Sequence, residues 1–175
     1  MLVLSVNQKM KKGFTLIELL VVISIISLLS SVALATLRGA RDKAADASLQ
    51  QGLGSVRIAG LMYYDDTRTD LIGTYGDQSY APHGCVAIMS ETNVFSHPPV
   101  KTAIEAALAV SGSDGICYRG ESPTSWVLAI PTKGTYGSYD GWCVDSLANA
   151  KFVVMSNLMG ALPTDGSAAT CDTSI

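Results

Sequence analysis

Histidine is almost missing from this chain of 175 residues: His83 and His97 are the only two, fourteen positions apart in loop-like sequence. No acidic or cysteine partner stands near either at a spacing that suits catalysis. No glycine-rich loop runs into a helix carrying a lysine, so a nucleotide-phosphate site has no support. None of the four cysteines forms a C-x-x-C pair, and their separations of thirty-two, twenty-six and twenty-eight residues suit no zinc module. Charge is scarce too, at 15% of residues against 48% hydrophobic, with a net charge of −3. Three of the twelve basic residues (Lys9, Lys11 and Lys12) precede Phe14, leaving nine basic against fifteen acidic side chains beyond that point. Binding to nucleic-acid phosphates needs a local basic excess, and no cluster of Lys and Arg in the C-terminal part provides one. Proline is absent before Pro82, so nothing of that kind breaks a helix in the first half of the chain.

What is present begins with a long apolar run. Phe14 to Leu37 is uncharged except for Glu18. As a helix the run measures about 36 Å at ~1.5 Å per residue, enough to cross a hydrocarbon core of about 30 Å. Lysines precede it, and Arg38, Arg41 and Lys43 follow, partly offset by Asp42 and Asp46; this pattern favours an N-terminus inside and a domain outside. The chain has room for one anchor and one domain. A permanent anchor is one reading. A secretory signal peptide is another, with Lys9–Lys12 as its basic region and Ala33-Leu34-Ala35 as an A-x-A cleavage site. Glu18 counts against both, since an acidic side chain within a membrane segment costs on the order of 2.5–3.5 kcal/mol on insertion scales.

The surroundings of Glu18 read Lys11-Lys12-Gly13-Phe14-Thr15-Leu16-Ile17-Glu18-Leu19-Leu20, and from Lys11 to Ala47 the chain resembles the type IV pilins and the related pseudopilins. The resemblance implies a leader, residues 1–13, that a prepilin peptidase removes by cutting between Gly13 and Phe14 on the cytoplasmic side. The same resemblance implies methylation of the new Phe14 amine. On this reading Lys11, Lys12, Gly13 and Phe14 serve processing, and Phe14, Thr15 and Glu18 serve assembly. Glycine suits the scissile position because a backbone without Cβ admits a protease closely. Cleavage creates a cation with which Glu18 of a neighbouring subunit can pair, offsetting part of its burial cost and fixing register. Only cleavage beside Phe14 supplies Glu18 with a partner in this account.

The run continues as a helix. Ala40 to Ala47 has high or neutral helix propensity. Arg38 with Asp42 supports it weakly at i, i+4, and Asp42 with Asp46 opposes it. Ala45, Leu49, Leu53, Val56, Ala59 or Gly60, and Tyr63 make one apolar stripe that reads as a core-packing face. Gly52, Gly54 and Gly60 each weaken the helix by about 1 kcal/mol relative to alanine, and a stop is expected near Asp65-Asp66. Ser24, Ser27, Ser31 and Ala35 form a strip of small residues that lets helices approach closely in lipid. Many relatives carry a proline where Ala35 stands, so a helix running straight through is expected here.

The expected layout is α+β: a leader (1–13), a membrane or filament-core helix (14–37), its amphipathic continuation (38–66), and an extracytoplasmic head (67–175) with a small antiparallel sheet packed on the helix. Cys85, Cys117, Cys143 and Cys171 all lie beyond the apolar run and read as two disulfides of an exported domain. Three connectivities are possible; sequential pairing, Cys85–Cys117 with Cys143–Cys171, closes the shortest loops. Thr67–Gly84 reads as loop, and Pro98-Pro99 followed by Val100–Val110 as a helix with Ile104, Ala107 and Leu108 on its apolar face, ended by Ser111–Gly115. Strands are expected at Ile116–Arg119, Trp126–Ile130 and Gly141–Val144, with another at Phe152–Met155. Thr132-Lys133-Gly134 and Gly137–Gly141 read as turns, and Pro163–Ile175 as loop tied down by Cys171. Trp126 and Trp142 read as core residues in strands. The segment Gly141–Ser146 is similar to a stretch that recurs in some pilin-like proteins. No cofactor is expected. Asp65, Asp66 and Asp70 lack the spacing of a calcium loop, and Asp140, Asp145 and Asp165 are a weak calcium candidate.

The function implied by the resemblance is a non-enzymatic structural subunit of a type IV pilus or related filament. Its precursor would cross the bacterial inner membrane once, and the product would be an extracellular pilus or a periplasmic pseudopilus. Its partners would be copies of itself, the prepilin peptidase and methylase, the membrane, and an inner-membrane assembly platform with its ATPase. A type II secretion pseudopilin uses the same helix, and the acidic balance weakens a DNA-uptake pilin. From a different class, the alternative is a secreted or anchored binding domain that forms no filament.

Overall fold

The computed structural model describes residues 13–65, 79–90, 92–120, 125–163 and 170–172. The chain divides into two units, one ending at Gly39 and one beginning at Ala40. Helix α1, Leu16–Tyr64, belongs to both and is unbroken at position 35. It also persists through Gly52, Gly54 and Gly60 and ends at Tyr64, where the Asp65 N–H still donates to the Leu61 carbonyl at 3.0 Å. Asp66 lies outside the described residues.

In the second unit the stripe anticipated on α1 is buried from Leu49 onward, with Ala45 only half-buried: Leu49, Leu53, Val56, Gly60 and Tyr63 face a core completed by α3, Pro98–Ser111, and by the sheet. Fully burying one such aliphatic side chain contributes roughly 1.5–3 kcal/mol, enough to offset a helical glycine. Gly60 has a packing reason as well, because a Cβ there would lie 3.3 Å from Cζ2 of Trp126, the largest fully buried side chain. Asp46 departs from the sequence reading. It is not a solvated charge opposing Asp42, for its side chain is fully buried. The Lys133 N–H donates to Oδ1 at 2.7 Å, and the Gly134 N–H and Tyr136 hydroxyl donate to Oδ2 at 2.8 and 2.9 Å.

The sheet is a five-stranded antiparallel meander in chain order: β1 Ser79–Gly84, β2 Ile116–Arg119, β3 Trp126–Tyr136, β4 Tyr139–Asp145 and β5 Ala150–Val153. Four expectations need correction. Part of the supposed loop Thr67–Gly84 is strand β1, an edge strand with irregular register against β2, where Pro82 is tolerated because edges do not need every N–H. Thr132-Lys133-Gly134 is not a turn but part of β3. The register shifts between Pro131 and Tyr136, and Asp46 takes two of the N–H groups there. The reversal is confined to Gly137-Ser138, with Tyr136 opposite Tyr139 and Gly137 at φ +71°, the glycine-first pattern of a tight hairpin. Finally, β5 stops at Val153, and Met155 opens α4, Met155–Ala161, because Asp140 Oδ1 accepts the Met155 N–H at 2.7 Å.

Two more short elements were not anticipated: α2, Cys85–Ile88, and a 3-10 turn, Val94–Ser96, capped reciprocally by Asn93 and Ser96. Helix α3 starts on Pro98-Pro99 and ends at Gly112, whose φ of +75° suits glycine at a helix C-terminus. Val100, Ile104 and Ala107 are its buried face, whereas Leu108 is only partly buried. A second core lies on the other face of the sheet, formed by Tyr118, Val127, Cys143, Val153, Leu158 and Leu162 among others. Each core holds one disulfide, Cys85–Cys117 in the first and Cys143–Cys171 in the second. A long helix followed by an antiparallel sheet is the α+β, pilin-like layout expected from the sequence.

Candidate functional site

The first unit begins α1 with a reciprocal cap. The Thr15 N–H and the Thr15 hydroxyl donate to Oε2 of Glu18 at 2.9 and 2.7 Å, and the Glu18 N–H donates back to the Thr15 hydroxyl oxygen at 3.3 Å. A threonine before the first turn with a glutamate three residues on is a capping box, which satisfies helix-terminal donors that would otherwise be orphaned. A carboxylate there also meets the positive end of the helix dipole. This corrects the sequence account in one respect: Glu18 already has a partner inside its own chain. Thr15-x-x-Glu18 was the signal available for it. Oε1 of Glu18 has no partner among the described residues.

From Phe14 to Leu37 the large apolar side chains are all exposed, Phe14 and Leu16 each to 88%. The helix is long and apolar enough to cross a membrane. Four of its hydroxyls are satisfied internally. Ser24 and Ser27 donate to the carbonyls of Leu20 and Ile23 at 2.8 Å, Ser31 to that of Leu28 at 2.8 Å, and Thr36 to that of Ala33 at 3.0 Å. A hydroxyl bonded in this way presents little polarity to lipid. The fourth member of the small strip, Ala35, has a side chain outside the described residues.

The chain matches a family model, the prokaryotic N-terminal methylation motif, over residues 8–34. The motif marks precursors that a prepilin peptidase processes and that go on to form filaments, and with the apolar helix it fits a membrane-anchored precursor. No curated protein and no solved structure matches the chain.

Within the methylation motif, Lys11 and Lys12 lie outside the described residues. Gly13 is exposed, and a Cβ added to it would meet nothing within 4 Å. Phe14 precedes the capping pair directly. The remaining sequence candidates are dispersed. His97 precedes α3 and sets its ring edge-on to Tyr63 at 5.3 Å; the side chain of His83 lies outside the described residues. Asp140 spends an oxygen on the Met155 N–H, and Asp145 accepts four N–H donors. Asp66, Asp70 and Asp165 lie outside the described residues. Among the described residues no three acidic, histidine or cysteine side chains come together as a metal site. Trp126 is buried, and Trp142 is half-buried with its ring edge-on to Phe152 at 4.8 Å, while Tyr136 stacks on the same Phe152 at 4.4 Å.

A groove of about 590 Å3 runs between α1 and α3, lined by residues such as Leu49, Gly52, Pro99, Ala103 and Val110. None of its lining residues is titratable, so it offers no acid or base to a bound molecule.

Proposed function

We propose that this chain is the precursor of a structural filament subunit, cut between Gly13 and Phe14, methylated on the Phe14 amine, and polymerised through residues 14–37. The observation that carries the reading is the methylation motif leading directly into a helix with every large apolar side chain exposed. A surface of that kind requires lipid or copies of itself. Gly13 fits the scissile position because nothing in the fold calls for a glycine there. In the assembled state Oε1 of Glu18 accepts the Phe14 amine of a neighbouring subunit while Oε2 keeps its bonds to Thr15. The domain boundaries follow: leader 1–13, filament-core helix 14–37, helix continuation 38–66 and head 67–175. The assembly is a type IV pilus or a related filament, exported from the bacterial inner membrane by a platform and its ATPase.

Mass spectrometry of the mature N-terminus tests the processing step. A chain starting at N-methylated Phe14 is expected. A start at Thr36 would replace this reading with secretion, and an uncut chain would leave a plain anchor. Glu18→Ala tests assembly. The precursor should still be cut, while filament yield falls at least tenfold, and normal filaments from that variant would remove the carboxylate from the assembly mechanism. Deleting the gene separates the two kinds of filament, since a pilus subunit removes surface fibres and a pseudopilus subunit blocks protein secretion.

A further inference from the structure

Cys143 and Asp145 stand two residues apart on β4, and residues at that spacing share a face of a strand. Both are fully buried, and both hold the same distant residue. Cys143 is joined to the Cys171 sulfur, and Asp145 Oδ2 accepts the Cys171 backbone N–H at 2.8 Å. The other bonds of Asp145 make it rigid. Oδ1 accepts the N–H groups of Leu147 and Asn149 at 3.0 and 2.9 Å, and the Asn149 side-chain amide donates to Oδ2 at 2.7 Å. They also close the β4–β5 turn over Ala148, whose φ of +75° is unfavourable for a residue with a Cβ. One residue beyond the disulfide, Asp172 Oδ1 meets Lys151 Nζ on β5 at 2.6 Å. The C-terminal segment is thus gripped without covalent help on both sides of the Cys171 thiol.

We propose that Asp145 is a positioning residue for oxidation of Cys143 and Cys171: the carboxylate seats the Cys171 backbone on β4 and so delivers its thiol to Cys143. The oxidant is a disulfide-bearing compound or protein. A thiolate of the pair attacks one of its sulfurs, forming a mixed disulfide and expelling one reduced thiol. The second thiolate then attacks the protein sulfur of that mixed disulfide, forming the Cys143–Cys171 bond and expelling the second reduced thiol. The two cysteine protons go to solvent or to the leaving thiolates, and the two electrons go to the oxidant. The seat acts on the second attack by raising the local concentration of one thiol at the other. It also gives the Cys-Val-Asp stretch within Gly141–Ser146 a physical reason, since a thiol and an acceptor at i, i+2 can engage the sulfur and the N–H of one residue. This inference does not depend on the filament reading.

The test follows the full chain in a bacterial host, with free thiols trapped by alkylation at timed intervals and both disulfides quantified by mass spectrometry. Asp145→Asn should slow Cys143–Cys171 by roughly tenfold, the factor associated with one charge-assisted hydrogen bond. Cys85–Cys117 serves as the internal reference and should keep its rate. Ile104→Ala, a truncation in the other core, should not slow Cys143–Cys171 selectively. A second measurement stands even where Asp145→Asn fails to accumulate. In full chain carrying Cys143→Ser and Cys171→Ser, purified in detergent, the amide at position 171 should remain protected from hydrogen exchange. Loss of that protection on removing the sulfurs, or a variant Asp145→Asn that slows both disulfides alike or neither, would overturn the proposal.

Discussion

Replacing Asp46 by alanine should destabilise the head by about 3 kcal/mol, and the estimate follows from what the carboxylate satisfies. Two backbone donors, Lys133 N–H and Gly134 N–H, lose the Asp46 acceptor in a part-buried site, and each unsatisfied group costs roughly 1–3 kcal/mol. The Tyr136 hydroxyl adds little because its side chain is half-buried and can turn to water. A loss of that size is a large share of a domain's total stability of roughly 5–15 kcal/mol. Urea unfolding of the full chain in detergent, with disulfides intact and tryptophan fluorescence as the probe, measures it directly. Asp46→Asn should fall between wild type and alanine, because the amide keeps one acceptor but turns its NH2 toward an N–H. Tyr136→Phe alone should cost about 0.5–1.5 kcal/mol, and less when Asp46 is already alanine, since the two residues share one bond. A change below about 0.5 kcal/mol for Asp46→Ala, the range of ordinary surface substitutions, would refute the claim that this side chain fastens α1 to β3.

Gly115→Ala should cost about 1–3 kcal/mol by overpacking, because the added Cβ would lie 2.7 Å from the Ala129 carbonyl and 3.1 Å from Cys85 Sγ, neither of which can yield cheaply; a thermal melt with an unchanged midpoint would contradict this. Tyr136 gives a pH signature. Desolvation, followed by its hydrogen bond to Asp46 and the nearby Asp46 and Asp42 charges, raises its pKa above the ordinary tyrosine value. The fold favours the protonated phenol, so its contribution is complete below about pH 10, the unfolded tyrosine value, and disappears as pH rises through the higher folded value. Stability should therefore fall in the alkaline range less steeply in Tyr136→Phe than in the parent chain, and identical alkaline profiles for the two would rule the effect out.

What was legible in the sequence was whatever rests on period and punctuation. The stripe from Leu49 to Tyr63, the Pro-to-Gly helix Pro98–Ser111, and the strand cores at Ile116–Arg119 and Trp126–Ile130 follow from local pattern and were placed correctly. What was missed depends on long-range partners. Thr132-Lys133-Gly134 looks like a turn because its strand hydrogen bonds are replaced by a carboxylate almost ninety residues earlier. Asp46 looks like a surface charge for the same reason. Ser79–Gly84 pairs with β2 although its own sequence, with Pro82 and Gly84, argues for loop. The N-terminal site differs in kind. The capping pair Thr15-x-x-Glu18 is a local pattern and gives Oε2 of Glu18 its partners, whereas a partner in another subunit is not written in local sequence.

Four hydroxyls in the apolar half of α1 have a consequence for how that segment is solvated. Ser24, Ser27, Ser31 and Thr36 are each bonded to a carbonyl of their own helix, so an apolar surrounding of any kind demands no further hydrogen bond from them. The polar cost of leaving water is thereby narrowed to the Ser30 hydroxyl and Oε1 of Glu18, which have no bond among the described residues. Those two groups, rather than the apolar area, are what would distinguish one apolar surrounding from another for this helix.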